Sequence, residues 1–252
     1  MNSDNSPNQI VIFGATSEVA QHVLRLHAEQ FDRVLLVARN EDRLHSVAQD
    51  ATTRGADVFD TICTDLGDTS TVEALAEQLC DRLDSKTIWY FFQGELPDQQ
   101  AAQNDWTIAQ SALDINFTCI ATALHYIARH IEQYQGGTVV VITSVAGLRG
   151  RQSNYIYGTG KGALNIYLQG LRNRLHKSGG QVITVMPGFI KTAMTAGLKR
   201  EGPLWATPDR VASDIYKAVK QGRNICFTPW FWRYIMLIIQ HIPEAIFKRL
   251  GL

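Results

Sequence analysis

Tyr157 and Lys161 stand four apart in Tyr157-Gly158-Thr159-Gly160-Lys161. On a helix that spacing puts both side chains on one face. An ammonium beside a phenol favours the phenolate, so the pair predicts a tyrosine whose pKa is lowered towards neutrality. Such a tyrosine can give or take a proton at a carbonyl or alcohol oxygen. Ser144 sits just past the run TVVVIT at 138–143, where its hydroxyl can polarise the same oxygen. Asn116, in Asp114-Ile115-Asn116-Phe117, brings an amide able to anchor a water that relays protons to the lysine. A lone Y-x-x-x-K pair carries little; the serine just past the preceding strand is what gives this one weight.

A second group lies upstream. Phe13-Gly14-Ala15-Thr16-Ser17-Glu18-Val19-Ala20 follows the apolar run 10–13 and precedes a helical pattern. Gly14 permits a tight turn, and small Ala15, Thr16 and Ser17 let the backbone approach a phosphate at the helix N-terminus. By itself the stretch reads equally as an ordinary strand-turn-helix capped by Thr16 or Ser17. Glu18 suits the helix dipole, yet beside a diphosphate it must point away or be neutralised. Arg39 ends the next strand, where a nicotinamide site usually has an acidic residue. Its planar fork suits a 2′-phosphate, which favours NADP(H) over NAD(H); otherwise it is a solvated strand-end arginine. Asp65 ends a third strand and either accepts a hydrogen bond from an adenine amino group or caps a turn.

The elements that must position these residues alternate. Strands are expected at 10–13, 33–38, 59–64, 87–92, 138–143, 181–186 and 224–228. Helices are expected at 17–30, 41–54, 71–83, 106–134, 154–177 and 208–221. Runs such as RVLLVA at 33–38 are apolar throughout, as in strands buried on both faces. β-α alternation predicts an α/β fold: one doubly wound parallel sheet of about seven strands, with the ligand crevice beyond the carboxyl ends of the strands. The organisation expected is a dinucleotide-binding domain over 1–228 and an apolar extension over 229–252.

Composition excludes other classes. Lys plus Arg equals Asp plus Glu, 24 against 24, so no bulk charge recruits nucleic acid. Cys63, Cys80, Cys119 and Cys226 lie far apart with no metal spacing, so no metal site is expected and a reducing, cytoplasmic compartment is the expectation. The polar start, MNSDNSPNQ, lacks the apolar core of a secretory leader, and residues before about 8 read as a loose tail.

From about residue 8 to 228 the chain resembles the short-chain dehydrogenase/reductase family. The resemblance rests on Gly14, Asp65, Asn116, Ser144, Tyr157, Lys161 and the run Pro187-Gly188-Phe189-Ile190-Lys191-Thr192. It implies a catalytic tetrad of Asn116, Ser144, Tyr157 and Lys161. It also implies a cofactor groove of Gly14, Thr16, Ser17, Glu18, Val19, Arg39, Asp65, Leu66, Gln93, Gly94, Tyr157, Lys161, Pro187, Gly188, Ile190 and Thr192, with Ile190 and Thr192 at the nicotinamide carboxamide. The implied chemistry is NADP(H)-dependent hydride transfer to or from a carbonyl or secondary alcohol carbon. A homodimer or homotetramer is likewise implied. Three positions depart from the family pattern: Glu18 and Ala20 replace glycines, and Gln93 replaces an alanine. The glycine departures favour an alternative, a non-catalytic NADP(H)-binding protein. A narrower resemblance joins Gly14 to Ala20, residues 149–158 and the Pro187-Gly188 turn to a bacterial subgroup, the decaprenylphosphoryl-2-keto-ribose reductase-like enzymes, and implies a keto-sugar or lipid-linked sugar substrate.

Three further segments carry expectations. Arg149 and Arg151 follow Ser144 and either hold a substrate phosphate or make a surface contact. Residues 193–205, with Gly197, Gly202 and Pro203, are long for a connection and read as a mobile substrate lid. The tail Pro229-Trp230-Phe231-Trp232-Arg233-Tyr234-Ile235-Met236-Leu237-Ile238-Ile239 is too short to span a bilayer, which takes roughly 20 apolar residues. It packs on the domain or a neighbouring subunit, or lies on the inner face of a membrane with Trp230 and Trp232 at headgroup level.

Overall fold

The structure is a computed structural model and describes residues 9–28, 33–83, 87–197 and 202–251. The loose tail expected before residue 8 lies outside the described residues, as do residues 198–201 of the expected lid. Seven parallel strands form one sheet: β1 (Gln9–Phe13), β2 (Arg33–Ala38), β3 (Val58–Cys63), β4 (Thr87–Phe91), β5 (Gly137–Ile142), β6 (Gly180–Pro187) and β7 (Ile225–Thr228). Their order across the sheet is β3-β2-β1-β4-β5-β6-β7. The strand order reverses between β1 and β4, so a crevice opens at their carboxyl ends.

Strand alternation sorts the core into two layers. Ile10, Ile12, Leu36 and Ile183 pack beneath α1 (Glu18–His27), α2 (Glu41–Thr53) and α8 (Pro208–Lys220). Val11, Phe13, Val37 and Val141 face α3 (Thr69–Arg82), α6 (Cys119–Gln133) and α7 (Tyr155–Leu175). Both faces are covered, which is why these strands are apolar throughout. Side-chain caps start α2 and α3: Asn40 accepts from Arg43 N, and Asp68 from Thr71 N.

The long helix expected over 106–134 is broken. After α4 (Gln99–Asn104), α5 (Trp106–Leu113) runs into a π-helical turn (Asp114–Thr118) before α6 begins. The cause is Asn116, whose Nδ2 donates to Ala112 O at 2.8 Å. That side chain takes the carbonyl an α-helix would give to the backbone N–H of residue 116.

The tail forms α9 (Trp232–His241) and α10 (Glu244–Phe247) on the domain's own surface. Trp232 and Met236 are buried against Val145 and Met186, with Leu148, Phe189 and Phe227 around them. No helix among the described residues is long and apolar enough to cross a membrane.

Candidate active site

Gly14 turns the chain out of β1 with φ +78°, where a side chain is strained. Space is equally decisive, because a Cβ there would lie 2.7 Å from Gln93 N. Ser17 then stands at the N-cap of α1 without a side-chain capping bond. The first N–H groups of α1 therefore face the crevice, ready for an anion. Ala20, buried where a glycine-rich turn would end, packs into the core beneath α1.

Two adjoining cavities run along the strand ends. The first is lined by Gly14, Thr16, Ser17, Glu18, Arg39, Asp65, Leu66, Gln93, Gly94 and Thr192. Ser17, Val19, Gln93, Gly94, Ser144, Tyr157, Lys161, Pro187, Gly188, Ile190 and Thr192 line the second. Ser17, Phe92, Gln93, Gly94, Thr192 and Met194 border both, so they make one groove from Arg39 to Tyr157. Every residue expected to hold the dinucleotide lines this groove. Asn116 lies just behind it.

At the Tyr157 end, α7 sets Tyr157 and Lys161 side by side, with Lys161 Nζ 5.9 Å from the phenol ring centre. Lys161 is 3% exposed and donates to Ile142 O at 3.2 Å. Burial drives its pKa down from 10.5 to about 8. Ser144, held by the turn it starts, accepts from Ala146 N at 3.1 Å and shares a hydrogen bond with the Tyr157 phenol. Asn116 is fully buried. Its Nδ2 also donates to Glu95 O at 2.7 Å, and its Oδ1 accepts from Glu95 N at 3.3 Å. A Cβ on Gly94 would meet Asn116 Oδ1 at 3.0 Å and Lys161 Nζ at 3.1 Å, so a side chain there would crowd both groups.

The expected lowering of the tyrosine is corrected. Burial of the phenol pushes the Tyr157 pKa up, outweighing the Ser144 hydrogen bond and the Arg151 guanidinium that pull it down. Lys161 Nζ, 5.9 Å from the ring centre, does not outweigh that burial. Arg149 takes the second of its two expected roles, a surface contact. It does not border the groove but clamps the tail, donating to Gln240 O at 3.0 Å, Ile242 O at 3.2 Å and Glu244 Oε2 at 2.7 Å. Its guanidinium stacks 4.2 Å from the Phe247 ring centre. Arg151, by contrast, stays electrostatically coupled to Tyr157.

Glu18 acquires a partner. Its Oε1 accepts from Ala193 N at 2.8 Å, which ties the start of α1 to the short turn Ala193–Thr195 across the groove. Asp65 Oδ1 accepts from Gly67 N at 2.9 Å while the residue lines the groove wall. Gln93 is buried with both amide atoms unpartnered among the described residues, so it has hydrogen-bonding capacity left for a groove ligand.

Among the groove residues that escaped the sequence reading is Arg43. It lines the Arg39 end and donates to Thr16 O at 3.0 Å. Its place four residues after Arg39, on the first turn of α2, was the available signal. Phe92 and Met194 narrow the middle of the groove. No cluster able to hold a metal occurs among the described residues.

Comparisons with known proteins give the family. The chain is 29% identical over 247 residues to an uncharacterised oxidoreductase of Mycobacterium tuberculosis, covering 98% of each. It is 28% identical over 246 residues to another from Streptomyces coelicolor, covering 97% of this chain and 96% of that one. Among solved structures, a short-chain dehydrogenase from Sphingobium yanoikuyae in complex with NADPH superposes with a TM-score of 0.81 at 22% identity, covering 94% of this chain and 97% of that one. A bulky-bulky ketone specific alcohol dehydrogenase from Comamonas testosteroni gives 0.79 at 20% identity, covering 96% of each chain. The family model described as short chain dehydrogenase matches residues 8–202, and the chain belongs to that family.

Proposed function

We propose that the protein is an NADP(H)-dependent oxidoreductase that moves a hydride between nicotinamide and a carbonyl or secondary alcohol carbon. The observation that carries this reading is the meeting of Ser144, Tyr157 and Lys161, backed by Asn116, at one end of a groove whose other end holds Arg39 and Arg43. The residues fit such a dinucleotide. Arg39 and Arg43 suit a 2′-phosphate, the open N-terminus of α1 suits the diphosphate, and the unpartnered Gln93 amide suits a polar group midway. Pro187, Gly188, Ile190 and Thr192 line the nicotinamide end. When bound, the dinucleotide supplies or accepts the hydride.

The chain's own residues handle the proton. In the reductive direction Ser144 Oγ donates a hydrogen bond to the carbonyl oxygen, and Tyr157 Oη gives it a proton as the carbon is reduced. The raised pKa of Tyr157 keeps the phenol protonated and ready to donate. The ammonium of Lys161 then steadies the phenolate that remains, and Asn116 fixes the Glu95 backbone next to Gly94, beside which Asn116 Oδ1 and Lys161 Nζ both lie. In the oxidative direction each proton step reverses.

The finer reading takes a keto-sugar or lipid-linked sugar as substrate and a cytoplasmic homodimer or homotetramer as the working form. The substrate rests on the subgroup likeness of residues 14–20, 149–158 and 187–188, the oligomer on the family likeness, and the compartment on the scattered cysteines. A second reading, a non-catalytic NADP(H)-binding protein, is favoured by one observation, the Glu18 carboxylate beside the diphosphate path. A panel of ketones, keto-acids and keto-sugars offered with NADPH separates the two. Loss of NADPH absorbance with any of them supports turnover. NADPH binding with no absorbance change on any carbonyl favours the second reading, and binding of neither dinucleotide refutes both.

A further inference from the structure

The tail helix α9 is apolar on two faces and covered on only one. Its inner face is buried: Trp232 and Met236 are 4% and 2% exposed. The outer face carries Tyr234, Leu237 and Ile238 in the open, at helical spacing, and Trp230 extends the stripe with its ring 6.0 Å from Tyr234. Ile246 and Leu250 continue it, also exposed. Helices apolar all round are normally buried all round, and a contiguous apolar patch marks an interaction surface.

Charge identifies what covers it. Over residues 229–251 the cations are Arg233, Lys248 and Arg249, and the sole acid is Glu244. Glu244 is already paired with Arg149 at 2.7 Å. The three cations are exposed and make no ion pair among the described residues. The chain as a whole is neutral, so this positive patch is local. A second copy docking about a two-fold axis would set the same cations against themselves. Tryptophan and tyrosine beside arginine and lysine, with leucine and isoleucine between, match a bilayer interface.

We infer that the face formed by Trp230, Tyr234, Leu237 and Ile238 docks peripherally on an anionic lipid bilayer. The inference goes beyond the oxidoreductase reading and does not depend on it. Leu237 and Ile238 enter the acyl boundary, the two aromatic rings sit among the headgroups, and Arg233, Lys248 and Arg249 meet lipid phosphates. α9 packs on Val145 beside Ser144, and its Trp232 closes over Gly188: a Cβ on Gly188 would lie 1.9 Å from the Trp232 Nε1. Docking therefore holds the catalytic end of the groove close to the bilayer, where a lipid-borne carbonyl substrate would be presented.

The test sediments the full-length protein, without cofactor or substrate, with phosphatidylcholine vesicles and with vesicles that also contain phosphatidylglycerol. Binding is expected only with the anionic lipid and should weaken as salt rises, each cation contributing roughly five-fold in partitioning. The double variant Leu237→Glu, Ile238→Glu should lose vesicle binding while its circular dichroism and NADPH affinity stay unchanged, since both side chains are exposed. Wild-type protein that ignores anionic vesicles overturns the inference. So does a variant that binds them equally well, or one that loses only its oligomeric state and thereby marks the face as a subunit contact.

Discussion

Replacing Lys161 by methionine should make the protein more stable and inactive. Lys161 is buried in the folded state, and its pKa falls from 10.5 to about 8 because burial penalises the ammonium. At about 1.36 kcal/mol per power of ten in proton affinity, that fall costs the fold about 3 kcal/mol wherever both states are protonated. The bond to Ile142 O partly offsets the gain from removing the charge, since losing it leaves a buried carbonyl unpaired at about 1–2 kcal/mol. Methionine has a similar length and adapts its shape, so the net gain at neutral pH is about 1–2 kcal/mol. The sign follows from the lowered pKa of a cationic group. Below about pH 8 the folded state bears the full cost. Between about 8 and 10.5 the unfolded chain binds the extra proton, so wild-type stability climbs with pH and the advantage of Lys161→Met shrinks. Urea unfolding of cofactor-free wild type and variant at neutral pH and at about pH 9.5 measures this. A variant less stable than wild type at neutral pH, or an advantage that does not change with pH, refutes the reasoning.

Other substitutions probe the rest of the groove. Arg39→Asp should weaken NADPH by roughly thirty-fold or more while leaving NADH nearly unchanged, because a charge-assisted fork to the 2′-phosphate is replaced by repulsion; fluorescence titration with both dinucleotides checks it, and equal effects on the two contradict it. Glu18→Gln should tighten NADPH by roughly two- to five-fold, because it keeps an acceptor for Ala193 N but removes a negative charge beside the diphosphate path; weaker binding would count against that placement. Gly188→Val should cost about 2–3 kcal/mol, because the new Cβ would force the buried Trp232 ring aside; an unchanged urea midpoint would mean that the turn and tail are not packed as described.

Much of this was legible because its signals are local. Strands buried on both faces read as unbroken apolar runs, and Tyr157 and Lys161 share a face through spacing alone. The π-turn at Asn116 was not legible, because it arises when that side chain captures Ala112 O, a choice that periodicity does not record. The partners of Arg149 could not be read, because Gln240 and Glu244 lie 91 and 95 residues further along the chain. Glu18 had no visible role for the same reason: Ala193 is 175 residues away. The expected lowering of the Tyr157 pKa considered its lysine neighbour and not its burial, which only the folded packing supplies.

The central claim is that Tyr157 protonates a carbonyl oxygen while a hydride leaves nicotinamide. The most direct measurement supplies NADPH carrying deuterium at nicotinamide C4 and a ketone found to turn over, then follows the label into the product for wild type and Tyr157→Phe. The account predicts deuterium on the product's carbinol carbon with wild type and a rate lower by roughly 10²–10⁴ in the variant, with NADPH affinity largely retained. Product formed without the label, or a Tyr157→Phe variant that transfers it at the wild-type rate, would contradict the account.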